Sequence, residues 1–386
     1  MDRPGERLLA RLPAGPLTPA QALRLGGRLR AEHPAPLVAA AMTLHNLRWR
    51  ARTKFRLADR MVFTREGLEQ ASSERMARHH AARFAGQSPL ADLCTGIGGD
   101  LTGLAAGRPV LAADLNPVHL RMAAHNAGVY GHDGGLRFVG ANVREVALDG
   151  VEAAFVDPAR RQGGRRLRAG SSEPPLPWCL ALAERVPAVG IKASPGLPIA
   201  LVPPGWEVEF VSERRELKEA LLWSPALARV TRRATLLDGG HHLDAADDPG
   251  ASPPVPCAPP GRFLLDPDPA VTRAGVVEEL ARALGAWKID ERIAFLSADT
   301  SLDTPFGRLL RIQASLPFQL KDLRHELRRL EVGSVDIRQR GSAVDTDDLG
   351  RRLRPRGDGR ATLVLTRVAD RPWALVCSPA APGNGA

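Results

Sequence analysis

The chain has 386 residues, 44% hydrophobic and 25% charged, enough apolar material for more than one core and too much for a wholly disordered protein. No apolar run reaches the ~18–20 residues that cross a bilayer, so no membrane partner is expected. The net charge of +10 points to a polyanion, but the 53 basic residues comprise 48 Arg and 5 Lys, a bias that a GC-rich genome imposes, so the placement of the charge must decide.

Residues 1–60 read as helical and basic, with apolar positions at helical spacing over 36–49 and Pro36 near the start. The spacing of Leu68, Ala71, Met76 and Ala81 predicts one helix over 66–84. Short apolar runs then mark strands at 89–93, 109–114, 136–139, 153–156, 189–191 and 208–211, with helical stretches between them. Strands alternating with helices imply a parallel sheet covered on both faces. Residues 245–261, rich in Pro, Ala, Gly and Asp, read as a linker or long surface loop. Beyond it a helix is expected near 271–284, then strands at 308–313, 335–340, 361–367 and 373–377 and helices at 318–330 and 347–353. No internal repeat is evident.

Residues 90–100 read Leu-Ala-Asp92-Leu-Cys-Thr95-Gly96-Ile-Gly98-Gly99-Asp. An apolar strand ends in an acid and turns through glycines into a helix. Glycines permit the turn and the close approach of a ligand, and the helix start offers free amides to an anionic group. Asp92 can receive an ammonium group. Fifteen residues after Gly99 the second strand ends at Asp114-Leu115-Asn-Pro, where an acid suits two ribose hydroxyls. The third strand ends near Asn142-Val143, where an adenine would lie. A nicotinamide dehydrogenase shares the acid after the second strand but does not usually carry one at the end of the first.

The fourth strand ends at Asp157-Pro158, the place where a sheet of this kind faces its reacting group. Asp157 can orient an amine or ring N–H and help remove its proton, or it can merely cap the following turn. Lys192, at the end of the next strand, can steady substrate or a developing anion, or lie at the surface. Covalent addition to a pyrimidine ring needs a thiol nucleophile; Cys94 lies inside the glycine turn and Cys179 in an expected helix, so neither suits it. The four cysteines show no CxxC pattern and no secretory segment opens the chain, which fits a cytoplasmic location. The pairs His79–His80 and His241–His242 lack further ligands at metal spacing, so no metal is expected.

Arg160, Arg161, Arg165, Arg166 and Arg168 follow Asp157 on a Gly-containing loop, a pattern suited to a phosphate backbone, or else a solvated loop. Residues 301–360 hold 13 Lys or Arg against 9 Asp or Glu, concentrated around Arg338 and Arg340 and over 351–356. With one Tyr in the chain, stacking on single-stranded bases is not advertised; backbone and shape recognition of structured RNA remain open.

The ordered set Asp92, Gly96, Gly98, Asp114 and Asp157 resembles class I S-adenosylmethionine-dependent methyltransferases. Together with residues 63–72, 192–196, 262–270 and 335–341, it resembles the bacterial methyltransferases that carry a C-terminal THUMP-like domain, over most of residues 50–380. The resemblance implies an α/β fold: a Rossmann-like class I methyltransferase core with an N-terminal helical segment and a small C-terminal α+β domain. It implies S-adenosyl-L-methionine as cofactor, with Gln70 and Ser72 near it by position. Asn142 stands where many such enzymes have Asp against the adenine amino group, which removes a charge-assisted bond and keeps an acceptor. Asp157-Pro158 resembles the Asn/Asp-Pro-Pro motif of amino- and RNA-methyltransferases but lacks its second proline, which leaves the methylated atom open.

The expected divisions are a helical region over 1–60, the methyltransferase core over 61–240, a linker over 241–262, a connecting segment over 263–300 and the THUMP-like domain over 301–386. The expected activity is methylation of a base nitrogen of structured RNA, tRNA or rRNA, with Arg160, Arg161, Arg165, Arg166, Arg338 and Arg340 meeting the RNA. A small-molecule N- or O-methyltransferase and a non-catalytic RNA-binding protein are the alternatives, and the oligomeric state is open.

Overall fold

The computed structural model describes residues 3–132, 134–159, 161–162, 165–166, 172–248, 250 and 252–380. The chain divides into two compact units, Met1–Trp206 with Leu221–Ala228, and Glu207–Ala220 with Arg229–Ala386. No helix among the described residues is long and apolar enough to cross a membrane.

In the first unit α1 (Arg3–Ala10), α2 (Pro19–Arg30) and α3 (Ala35–Ala51) share a small core of Leu8, Leu29, Val38 and Ala41. Thr18 opens α2 with a capping box, exchanging side-chain and backbone bonds with Gln21. Leu47, Phe55, Met61 and Phe63 then bury against Leu68 and Ile97. Each large apolar side chain so buried contributes ~1.5–3 kcal/mol, which ties the N-terminal layer to the turn containing Ile97.

The single helix expected over 66–84 is two helices, α4 (Arg65–Gln70) and α5 (Glu74–Arg83). Thr64 caps α4 by accepting from the Gly67 amide, Ser73 caps α5 by accepting from the Met76 amide, and Ala71 between them is extended. The apolar spacing runs on through the break because Leu68 and Met76 are both buried, and that continuity masks it. The sequence signal for the second start is Ser73 followed by Glu74. Lys54 closes the end of α4, its Nζ donating to the carbonyls of Leu68 at 2.8 Å and Ala71 at 2.7 Å.

The core of this unit contains β1 (Leu90–Leu93), α6 (Leu101–Leu104), β2 (Val110–Asp114), α7 (Pro117–Val129), β3 (Leu136–Gly140) and β4 (Ala153–Val156). It continues with a short antiparallel pair, β5 (Arg161–Gln162) and β6 (Arg165–Arg166), then α8 (Leu176–Ala181) and β7 (Ala188–Ala193). The longer strands run parallel in the order β7-β4-β1-β2-β3. β1 and β4 are buried along their whole length, as strands covered on both faces must be. Register aligns Ala113, Leu93, Val156 and Ile191 in one row. The residues that follow them, Asp114, Cys94, Asp157 and Lys192, therefore share the carboxyl edge, where open parallel sheets bind ligands.

β8 (Glu207–Glu213) and β9 (Glu216–Trp223) come next, and the division between units falls within β9. In the second unit β8 pairs in parallel with β10 (Arg232–Leu236), which pairs antiparallel with β11 (His241–Asp244). There follow β12 (Phe263–Pro267), α9 (Pro269–Ala274), α10 (Val277–Leu284), β13 (Trp287–Lys288) and β14 (Leu296–Ala298). The helix expected over 271–284 breaks at Gly275, which adopts a left-handed φ of +68°. Because α9 packs on β8 and β10, strands before the 241–262 stretch share a unit with elements after it, and the division lies upstream of that stretch.

The unit ends with β15 (Gly307–Pro317), α11 (Leu320–Arg329), β16 (Val332–Gln339), α12 (Thr346–Leu353), β17 (Gly359–Val368) and β18 (Arg371–Pro379). Its larger sheet has the order β13-β14-β12-β15-β18-β17-β16, with β16 and β17 parallel and joined through α12. Leu323 and Leu327 of α11 and Leu349 and Leu353 of α12 bury against Leu363, Leu365 and Val376 of that sheet.

Candidate active site

The glycine turn after β1 is held closely. Gly98 has φ +81°, and a Cβ there would lie 3.0 Å from the Ala123 backbone, so a side chain would be both strained and crowded. The Thr95 amide donates to the Ala113 carbonyl at 3.1 Å, the Gly96 amide to Asp114 Oδ2 at 2.8 Å, and Thr95 Oγ1 to the Asp92 carbonyl at 2.8 Å. Asp114 Oδ1 also accepts from the Asn116 amide at 2.8 Å.

Asp92, two rows below the carboxyl edge, is 1% exposed, and its Oδ2 has no hydrogen-bond partner. An unpartnered buried carboxylate oxygen is unfavourable unless something cationic meets it. Burial first, then the charge of Asp100, lift the Asp92 carboxyl well above the usual range.

Beside Asp92 lies a buried polar network. Lys192 Nζ donates to Asp157 Oδ2 at 2.7 Å and to Ser72 Oγ at 2.9 Å. Ser72 Oγ donates to Asp100 Oδ2 at 2.9 Å, and His80 Nδ1 lies 2.7 Å from Asp100 Oδ1. The His80 ring is fully buried and stacks on Phe155 of β4, centroids 4.8 Å apart. Burial resists ionisation of Asp100, but the charge of Lys192, then His80 and the Ser72 hydrogen bond, outweigh it and bring its pKa to about 2. The Lys192 side chain is 6% exposed and that of Asp157 26%, so the network opens towards solvent at Asp157.

Asp92, Ser72, Asp157 and Lys192, chosen from sequence, are thus brought together. Asp100 and His80 escape such a reading, since one resembles an ordinary helix start and the other half of a histidine pair, and their mutual contact spans 20 positions. Pro158 and Val143 are buried, while Leu115 is 70% exposed beside Asp114. The Asn142 side chain accepts from the Arg144 amide at 3.2 Å, and that of Gln70 donates to Glu66 at 3.2 Å. Arg161, Arg165 and Arg166 lie on the β5–β6 pair, and Arg160 lies outside the described residues.

Arg338 and Arg340 make ion pairs within their own unit. Both pair with Asp266, at 3.3 and 3.2 Å, and Arg340 also donates to Thr272 Oγ1 at 3.1 Å and lies over the Phe295 ring. The acidic 262–270 segment and the basic 335–341 segment meet in the fold, so these two charges hold strands together. Burial pushes the Cys179 thiol up to about 12 and the Cys94 thiol higher still, so neither is a thiolate at neutral pH.

Residues 307–379 match the family model of THUMP domain-like modules, residues 88–160 that of RNA cap guanine-N2 methyltransferases, and residues 1–51 a domain of unknown function. Two strains of Mycobacterium tuberculosis, CDC 1551 and H37Rv, carry an uncharacterized S-adenosylmethionine-dependent methyltransferase 36% identical to this chain over 331 residues, 82% of this chain and 89% of the relative. The chain belongs to this family of S-adenosylmethionine-dependent methyltransferases. The crystal structure of a methyltransferase from Porphyromonas gingivalis W83 shares the fold, with a TM-score of 0.77 at 20% identity, covering 99% of this chain and 100% of that one.

The methyltransferase uses S-adenosylmethionine, and the residues present fit that group. The unpartnered Asp92 oxygen is matched to a cation, Asp114 is held by two amides at the end of β2, and Leu115 offers apolar surface next to it.

Proposed function

We propose that this methyltransferase modifies a base nitrogen of structured RNA, of the tRNA or rRNA class. The observation that carries the reading is the Asp157–Lys192 pair at the carboxyl edge of the sheet, beside Asp92. When bound, S-adenosylmethionine supplies a methyl group made electrophilic by its sulfonium sulfur. Asp92 would hold the cofactor's ammonium group, Asp114 its ribose hydroxyls, and Leu115, Asn142 and Val143 its adenine.

Lys192 fixes the Asp157 carboxylate, which accepts the target N–H and takes its proton as the nitrogen is methylated. A carboxylate suits a nitrogen target. A pyrimidine carbon would need a thiolate, and Cys94 and Cys179 are held protonated by burial.

Two family models support RNA as the substrate: the RNA cap guanine-N2 methyltransferase match ends in the Asp157 segment, and the THUMP domain-like match spans the last sheet. Exposed arginines at 351, 352, 354 and 356 offer phosphate contacts. The test is transfer of a labelled methyl group from the cofactor to total RNA, followed by nuclease digestion. Label is expected on one base nitrogen in tRNA or rRNA, with Asp157→Ala lowering the rate by ~10²-fold or more. Label confined to small molecules would contradict the RNA substrate.

A further inference from the structure

Behind the reaction centre lie two buried groups that the methyl transfer itself does not touch, Asp100 and His80. We propose that they are positioning residues: they fix the ammonium of Lys192, and through it the orientation of the Asp157 carboxylate that meets the target nitrogen. The inference rests on the role given to Asp157 above.

Lysine carries its charge on a flexible four-carbon stem, so a lone ion pair would let the ammonium follow a carboxylate towards water. Here Asp157, the more exposed partner, lies 2.7 Å from Nζ, and Asp100, 8% exposed, lies 3.9 Å from it. The two carboxylates draw the cation both outward and inward, and their opposed attractions confine it. Ser72 completes the inner link, accepting from Lys192 and donating to Asp100. Its own place is set by the break between α4 and α5, which Lys54 ties down.

His80 fixes the far end. The ring meets the Asp100 oxygen that Ser72 does not use, and it stacks on Phe155 of β4, two residues before Asp157. The strand presenting the reacting carboxylate thus also supports the ring that holds its positioning chain. The groups come from α5, the α4–α5 break, the glycine turn, β4 and β7, so no single element would produce this alignment by local packing. Asp92 borders the same cluster and repels Asp100, so two buried carboxylates and the half-buried Asp157 surround one lysine. Such a set is a poor source of stability, since desolvation offsets much of the attraction, and its place beside the reaction centre points to function.

The chain has only five lysines, so nitrogen-labelled lysine ammonium groups can be followed in the full-length protein by NMR, with Lys192→Arg identifying the relevant signal. Asp100→Asn removes the inner charge, and His80→Phe keeps the ring on Phe155 while removing the hydrogen bond. Both are expected to shift or abolish the Lys192 ammonium signal and to lower turnover on RNA roughly 10- to 100-fold, the scale of a small misalignment. Cofactor affinity, read by calorimetry, should stay within about 3-fold, which separates lost positioning from lost binding. His80→Asn, which returns an N–H near the Nδ1 position, should restore most of the signal and of the rate. An unmoved Lys192 signal in Asp100→Asn, or cofactor affinity falling as far as turnover, would overturn the proposal. Should the wild type label no RNA, the substrate reading fails, while the ammonium signal still decides this inference: shifted supports it, unmoved contradicts it.

Discussion

Asp92 and Asp100 are both buried carboxylates within one turn of chain, yet their surroundings push them in opposite directions. Asp92 is raised by burial and by Asp100, so between the unfolded value of ~3.9 and its raised folded value the folded state holds the extra proton. Its contribution to stability therefore falls as pH rises through that window. Asp92→Asn removes the buried charge, and the cofactor-free protein should melt higher at pH 8, by roughly 2–4 °C per kcal/mol gained. The same change removes the partner assigned to the cofactor's ammonium and should weaken cofactor binding ~10- to 100-fold by calorimetry. Unchanged affinity would contradict that assignment.

Asp100 has the reverse sign. Held near 2 by Lys192, His80 and Ser72 against the opposing effect of burial, it contributes stability that is present above ~3.9 and lost as pH falls towards about 2. An acid titration of thermal stability should be flatter for Asp100→Asn than for the wild type across that window.

At the scale of elements, the α4–α5 break presents Ser72, and Lys54 holds it by binding the carbonyls that end α4. Lys54→Met should raise amide hydrogen exchange over residues 68–73 and lower stability by ~1–3 kcal/mol, from buried acceptors left without their donor. Exchange unchanged over this segment would show that the break is held by other interactions. The break was hidden in sequence by an apolar period that continues across it. Four strand ends of the core were legible because an apolar run meets an acid or lysine near its carboxyl end, at Asp92, Asp114, Asp157 and Lys192. β9 was not legible, since its Glu-Leu-Lys-Glu-Ala-Leu-Leu-Trp run consists mostly of good helix formers and its pairing overrides that preference. Asp100 and His80 were missed for another reason: a hydrogen bond such as that between Lys192 and Ser72, across 120 positions, leaves no trace in local periodicity.

For the molecule as a whole, +10 of net charge says little until the arginines are sorted by what they touch. Arg340 is bound to Asp266 and Thr272, so Arg340→Met should act on stability, lowering the melting temperature by roughly 2–4 °C per kcal/mol removed. Arg351 and Arg352 are 72% and 60% exposed, in surface pairs with Asp348 that contribute little. Replacing both by Gln should leave the melting temperature nearly unchanged and, on the proposed RNA substrate, weaken binding for all sequences alike. The logarithmic salt slope should fall by ~0.7–0.9 for each phosphate that is no longer neutralised. An unaltered slope would place the RNA surface elsewhere.

The most direct measurement is mass spectrometry of the nucleosides of total RNA from cells with and without the gene. A single base-methylated nucleoside should disappear in its absence, return with the wild-type gene and fail to return with Asp157→Ala. An unchanged nucleoside profile, or full restoration by Asp157→Ala, would contradict methylation of an RNA base at this carboxylate.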